Sequence, residues 1–364
     1  MSAASSSAVA TPGPAAAAEQ PSAVATPSKP PAVPTSTTTP PVARARWKWP
    51  LIWGVLLVAG LFLPKAVASP FYLGLLVNGV ILGIAAVGIG FLMHQCGFVM
   101  FGVAAFIGLP AYLVGIASNQ LGMGVHAAVV FALAASTAFA ALAGALVVRA
   151  RPLPFAMLTL ALAQMLRSTA TLQVMRPLTG GDDGLPITFK GAFLGLSQNE
   201  LAKATSFWPI VLVALAAVLF IAWRASNSRF GQVLRATQAN EERMRFSGFN
   251  TYLPRLAAFT LASFLVSVSG VLLVLHSGFA SAELLDFATG GHALVAMLVG
   301  GAASVAGPLL GALLYVLGQD AFGATGYLEL LTGVAVVFMI AAFPKGASGF
   351  LLQLWRRATR KRSA

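Results

Sequence analysis

Ten apolar runs decide what this chain can become: near 48–63, 71–92, 97–118, 124–148, 153–174, 207–224, 255–277, 288–301, 305–320 and 325–343. About 20 apolar residues suffice for a helix to cross the hydrocarbon core of a bilayer. Inside lipid each segment must satisfy its own backbone polar groups, and for these runs that means helices. Of the 364 residues, 58% are hydrophobic and only 9% charged, where a soluble domain carries about a quarter charged. The expected fold is an all-α polytopic membrane protein with about ten transmembrane helices. Several runs are short, notably 288–301 with its Gly300-Gly301 end. Such segments are expected as short or broken helices near a substrate path. Glycines spaced as Gly79-x-x-x-Gly83 and Gly307-x-x-x-Gly311 predict close helix packing.

The rest of the chain divides around these runs. Residues 1–43 are mostly Ala, Pro, Ser and Thr, a composition that buries too little apolar surface to offset ordering, so a disordered tail is expected. Residues 44–345 form the transmembrane domain, with a cytoplasmic loop at 225–254, and 346–364 a basic cytoplasmic tail. The run Leu51 to Leu63, followed by Ala66-Val67-Ala68, imitates a signal peptide and its cleavage site. The long region before it and the helix count favour a retained helix. With ten alternating crossings and an inside N-terminus, 18 of the 23 lysines and arginines fall inside. By the positive-inside rule, both termini are then cytoplasmic. The net charge of +13 therefore marks orientation and not a nucleic-acid partner.

Several chemistries lack their residues. There is no Gly-x-x-x-x-Gly-Lys-Ser/Thr loop, so this chain is not expected to bind ATP in the P-loop manner. His94, His126, His276 and His292 are dispersed without Cys or carboxylate neighbours at ligand spacing, which argues against a metal site. A Gly-x-Ser-x-Gly elbow is missing as well. No catalytic residue is expected. Ion-driven carriers usually hold carboxylates in mid-membrane, and none of the ten acidic residues falls at a helix centre. An ion-coupled secondary carrier and a polytopic membrane enzyme remain the alternatives to a transport subunit driven from outside.

Between two crossing segments lies a basic, polar interruption from Arg224 to Arg255. It predicts a docking surface for a soluble cytoplasmic partner, with residues 231–247 as one short helix. Val233, Leu234, Met244 and Phe246 would be available to the partner's groove, beside Arg235, Asn240, Glu241 and Arg243. Gly248 would end the helix in a left-handed cap. The alternative is a solvated loop on membrane lipid headgroups, where each basic residue gains about 1 kcal/mol.

Three stretches carry a resemblance. The first is Arg149-x-Arg151, then Met157-Leu158-Thr159-Leu160-Ala161, Leu166-Arg167 and the loop Leu178-Thr179-Gly180-Gly181-Asp182-Asp183-Gly184-Leu185. The second is Phe230-Gly231-x-x-Leu234-Arg235-Ala236 through Asn240-Glu241 to Gly248-x-Asn250, leading into Leu256-Ala257-Ala258-Phe259. The third is Gly300-Gly301-Ala302-Ala303-Ser304-x-x-Gly307-Pro308-x-x-Gly311-Ala312. In this order they resemble the LivM-type permease subunits of ATP-binding-cassette importers for branched-chain amino acids, over roughly residues 70–345.

The resemblance implies one of two related permease subunits in a bacterial-type inner membrane. Separate cytoplasmic subunits would bind and hydrolyse ATP, and an extracytoplasmic solute-binding protein would deliver the solute. It marks Gly231, Leu234, Arg235, Asn240, Glu241, Gly248 and Asn250 as the ATPase-coupling loop. Arg167, a charge inside a helix, could meet an amino acid's carboxylate, pair with a protein carboxylate or snorkel to water. With Thr159, Phe98 and Met100 it is a candidate for the translocation path. The turn Gly180-Gly181-Asp182-Asp183-Gly184 faces outside, as a tight loop or a site for a cation or basic patch. One departure stands out. Where the family has Gly-Gln-x-Ser-x-Gly-His, this chain has Gly97-Phe98-Val99-Met100-Phe101-Gly102-Val103. If that segment lines the path, the path is more apolar here, and the solute differs from leucine or is bulkier.

Overall fold

Most of the apolar runs become helices because their punctuation is local and strong. The computed structural model describes residues 69–301 and 306–323, with Gly60, Pro64 and residues 333–334. The tail 1–43, the basic segment 346–364 and nearly all of the runs 48–63 and 325–343 lie outside the described residues, as do Ala302 to Val305. Among the described residues the α-helices of six residues or more are α1 (Pro70–Cys96), α2 (Val103–Asn119), α3 (Val125–Val147), α4 (Pro152–Thr171), α5 (Ala204–Ser226), α6 (Arg229–Ala239), α7 (Glu241–Phe246), α8 (Tyr252–Ser277), α9 (Phe287–Gly300) and α10 (Gly307–Gly323).

Pro70 and Pro152 open α1 and α4, at the first turn where a missing N–H costs nothing. Gly97 ends α1 at φ 71°, its N–H reaching Met93 O at 3.0 Å. The third run consequently begins its helix at Val103 and not at 97, leaving 97–102 irregular. The fifth run is not straight either. Helix α4 stops at Thr171, and the segment Gln173–Asp183 bends away from it by 65°.

Among the described residues four helices, α1, α3, α5 and α8, are long and apolar enough to cross a membrane, and α4 with its bent continuation makes a fifth. Helices α2 and α9 are shorter apolar segments. Burial separates these elements by role. The most apolar windows of α1 and α8 are 78% and 72% buried, against 22% for α3. Leu142 and Leu146 of α3 point outward, a face suited to lipid.

Small residues set the central packing, as the glycine spacing predicts. A Cβ at Gly83 would lie 2.6 Å from Leu309 Cδ1, so the bare position lets Leu309 of α10 pack directly on α1. On α8, a Cβ at Gly270 would collide with the Ile107 carbonyl of α2. A two-residue antiparallel ladder, β1 (Leu185–Pro186) with β2 (Phe279–Ala280), ties the 172–203 loop to the end of α8. The loop segments thus gather at one end of α1 and α8, and the basic segments at the other.

Candidate functional site

The basic interruption folds back onto the helix ends it connects. It is two helices and not the single one expected over 231–247. Asn240 breaks the chain with extended backbone (φ −160°, ψ 101°), and its Oδ1 accepts the Arg243 N–H at 2.9 Å to cap α7. Ser228 caps α6 by accepting from Gly231 N at 3.4 Å. At the far end Gly248 adopts φ 79°, its N–H bonding Arg245 O while Phe249 N–H bonds Met244 O. This is the left-handed cap the sequence predicts, in Schellman form. Asn250 Oδ1 then accepts from Tyr252 N at 3.0 Å and starts α8.

Helix α6 buries Gly231, Leu234 and Thr237, one face at helical spacing. Leu234, 1% exposed, is therefore part of the core and not available to a partner's groove. Gly231 is needed for contact: a Cβ there would strike the Ser226 and Ala225 carbonyls at the end of α5. Arg235 donates to Gln95 Oε1 at 3.1 Å and Ser226 O at 2.9 Å, joining α6 to the end of α1.

Glu241 joins α7 to α8. Arg255 grips its carboxylate by two bonds, Nη1 to Oε1 at 2.7 Å and Nη2 to Oε2 at 2.6 Å. Arg245 adds a third at 2.6 Å and the Thr251 hydroxyl a fourth at 3.3 Å. Burial pushes the Glu241 carboxyl upward, but the Arg255 bonds and charge, with Arg245 and Thr251, more than offset it. Its pKa falls below the ordinary carboxylate value. The Arg255 guanidinium also lies 5.2 Å over the Phe98 ring. Alongside, Arg149 sits 5.5 Å over the Tyr252 ring, and the Tyr252 hydroxyl donates to Ala145 O at 2.8 Å. Phe246, one of the side chains expected to be free for a partner, is 90% exposed, and Phe249 at the exit of α7 is 54% exposed.

The candidate path residues do not form one cluster, since Arg167 lies about 12 Å along α4 from Thr159. Phe98 and Met100 are buried, Phe98 stacked on Phe155 at 4.7 Å. Thr159 is buried too, donating to Ala156 O at 2.8 Å and accepting from Gly102 N at 3.3 Å. Arg167 stands near the other end of α4, 3.7 Å from Asp286. In the turn 180–184, Gly180, Gly181 and Gly184 all take positive φ, and a Cβ on Gly180 would collide with the Gly184 carbonyl. Asp183 pairs with Arg176 at 2.7 Å, and Asp182 is exposed. Among the described residues no group of three His, Cys, Asp or Glu is placed to hold a metal.

An opening lies elsewhere. A recess of about 230 Å³ lies among α1, α2, α8, α9 and α10. Its polar lining is Asn78, Ser269, Thr289, His292 and Gln319. Among the described residues no Asp, Glu, Lys or Arg lines it.

The profile of the family described as "Branched-chain amino acid transport system / permease component" matches residues 71–343. The chain belongs to this permease family. It is 26% identical over 284 residues to the high-affinity branched-chain amino acid transport system permease protein LivM of Escherichia coli K12. That match covers 72% of this chain and 66% of the relative, just under two thirds of its length. It is also 26% identical over 206 residues to the LivH permease protein of the same-named system in Salmonella typhimurium, covering 55% of this chain and 67% of that protein. No solved structure matches.

Within this permease family member, sequence reasoning missed two sets of residues. Gln95, Thr251 and Arg255 complete the contacts of Arg235 and Glu241, and only Arg245 stands at the i,i+4 spacing that a helix reading looks for. Asn78, Thr289, His292 and Gln319 did leave a signal: each is a polar side chain within an apolar run, where lipid makes unpaired polarity costly.

Proposed function

We propose that this chain is one of two membrane-spanning permease subunits of an ATP-binding-cassette importer. It moves branched-chain amino acids or a related small polar solute across the cytoplasmic membrane by alternating access. In this reading it crosses about ten times with both termini in the cytoplasm. Arg149, Arg151 and the arginines from 224 to 255 then face the cytoplasm, and the paired loops face outward. Separate subunits bind the ATP, so this chain needs no cofactor or nucleotide site. A solute-binding protein delivers the cargo from outside.

The observation that carries the reading is the attachment of α6 and α7. Arg235 holds α6 to α1, and Glu241 holds α7 to α8, the two most deeply buried of the crossing helices. A push on this segment must therefore reach the centre of the bundle, as an ATP-driven change requires. Phe246 and Phe249 offer the exposed apolar surface for an ATPase groove, while Arg235 and Glu241 act inward as the linkage. The relatives' names supply the substrate class.

The test is leucine uptake in cells with and without the chain, with the proton gradient dissipated while ATP is held constant. Chain-dependent uptake that survives this treatment and stops on ATP depletion is expected. Uptake that stops with the gradient alone would replace the importer with an ion-coupled carrier.

A further inference from the structure

We propose that the recess among α1, α2, α8, α9 and α10 is a binding site for the transported solute, and that it receives a small zwitterion with an apolar side chain. The proposal rests on the transport reading above and gives it a place. The volume of about 230 Å³ is below the ~300–1,000 Å³ of pockets for drug-sized ligands, so it suits one small molecule. A net-charged solute would find no counter-charge among the described residues of the lining and would have to leave water unpaired there. A zwitterion carries its own pair and needs only hydrogen-bonding groups.

Those groups are present. Ser269 donates its proton to Val266 O at 2.7 Å, and Thr289 donates to Glu283 O at 2.7 Å. Both hydroxyl oxygens are left as acceptors, the role an ammonium group requires. The Asn78 amide makes no hydrogen bond among the described residues and offers donors for a carboxylate. Asn78 and His292 lie exposed at the rim, while Ile81, Ala85 and Ile107 form a buried apolar floor. The same helices reach the basic end: Gln95 lies about 26 Å along α1 from Asn78, so motion imposed at α6 acts on a wall of the recess.

The experiment uses the assembled, reconstituted complex. The native Cys96 is buried, so a thiol introduced by Asn78→Cys is the reactive one. Its labelling by a small thiol reagent should slow about tenfold when L-leucine is present at ten times its half-protecting concentration. Phe71→Cys, exposed on the same helix but outside the recess, should label at one rate with or without leucine. Asn78→Ala and His292→Ala should each lower uptake while the complex keeps its ATPase activity. Leucine uptake by the wild-type complex with Asn78→Cys unprotected, or with that thiol inaccessible and uptake undiminished, would overturn the recess and leave the importer standing. A wild-type complex that hydrolyses ATP and moves no leucine would instead break the transport reading itself.

Discussion

At the basic end of α1 and α8 the connections use charged side chains, with Glu241 ion-paired to Arg255 at 2.6 and 2.7 Å and Arg235 donating to the neutral Gln95 amide at 3.1 Å. In the other half of the same two helices, Asn78 and Ser269 face a recess with no Asp, Glu, Lys or Arg among its described lining residues. The difference has a physical reason. A partly buried, bidentate ion pair is costly to break, because losing one partner strands the other. That makes it a firm joint for transmitting force. Neutral amides and hydroxyls form weaker bonds that a solute can make and release. One pair of helices thus combines a rigid joint with an exchangeable site.

Charge reversal breaks the comparison hardest. Glu241→Arg or Arg255→Glu should each reduce ATP-driven uptake at least about tenfold, with a stability loss of roughly 2–3 kcal/mol. Combining both should recover part of the uptake. If the double variant is as poor as either single one, the pair is not the joint.

Gly231→Val comes next, because its side chain meets the Ser226 and Ala225 carbonyls. Thermal unfolding in detergent should show a loss of about 1–3 kcal/mol. Gly291→Ala, with nothing within 4 Å of the added carbon, should stay within about 0.5 kcal/mol.

Acid tests the joint through the Glu241 carboxyl. The Glu241 pKa is lowered in the folded chain, so its stabilisation is complete above the unfolded value of about 4.3. It is lost as pH falls through the lower, folded value. The stability gap between wild type and Glu241→Gln should be constant from pH 8 to about 5 and shrink below about 4.3. A gap that shrinks near pH 7 would contradict the assignment.

The smallest effects are at the outer loops and the rim. Arg176 and Asp183 are 57% and 78% exposed, so Arg176→Ala should cost less than about 0.5 kcal/mol by unfolding. Asn78→Ala should change stability equally little while lowering uptake, which separates a ligand role from a packing role.

The eight apolar runs that fall on the described residues are all helical and were legible as such, since apolarity, Gly97, Gly248 and the opening prolines act within a few residues. The break at Asn240 was harder to see, because its side chain can extend a loop or cap a helix with equal ease. Leu234 was read as a partner contact, for an amphipathic helix does not say whether its apolar face meets another protein or its own bundle. Arg167 drew attention as a charge within an apolar run. Asn78 and His292, the quieter polar residues, were the ones placed at an opening.

The sequence by itself determined the helical class, most of the helix positions, the basic segment and the family, because these rest on composition and short-range order. Tertiary structure alone decided that Glu241 closes on Arg255 with Arg245, that Arg235 reaches Gln95, and that polar residues of separate helices share one recess. Those contacts depend on how closely the helices pack, which bare positions such as Gly83 and Gly270 permit, and no local pattern encodes which distant side chains then meet.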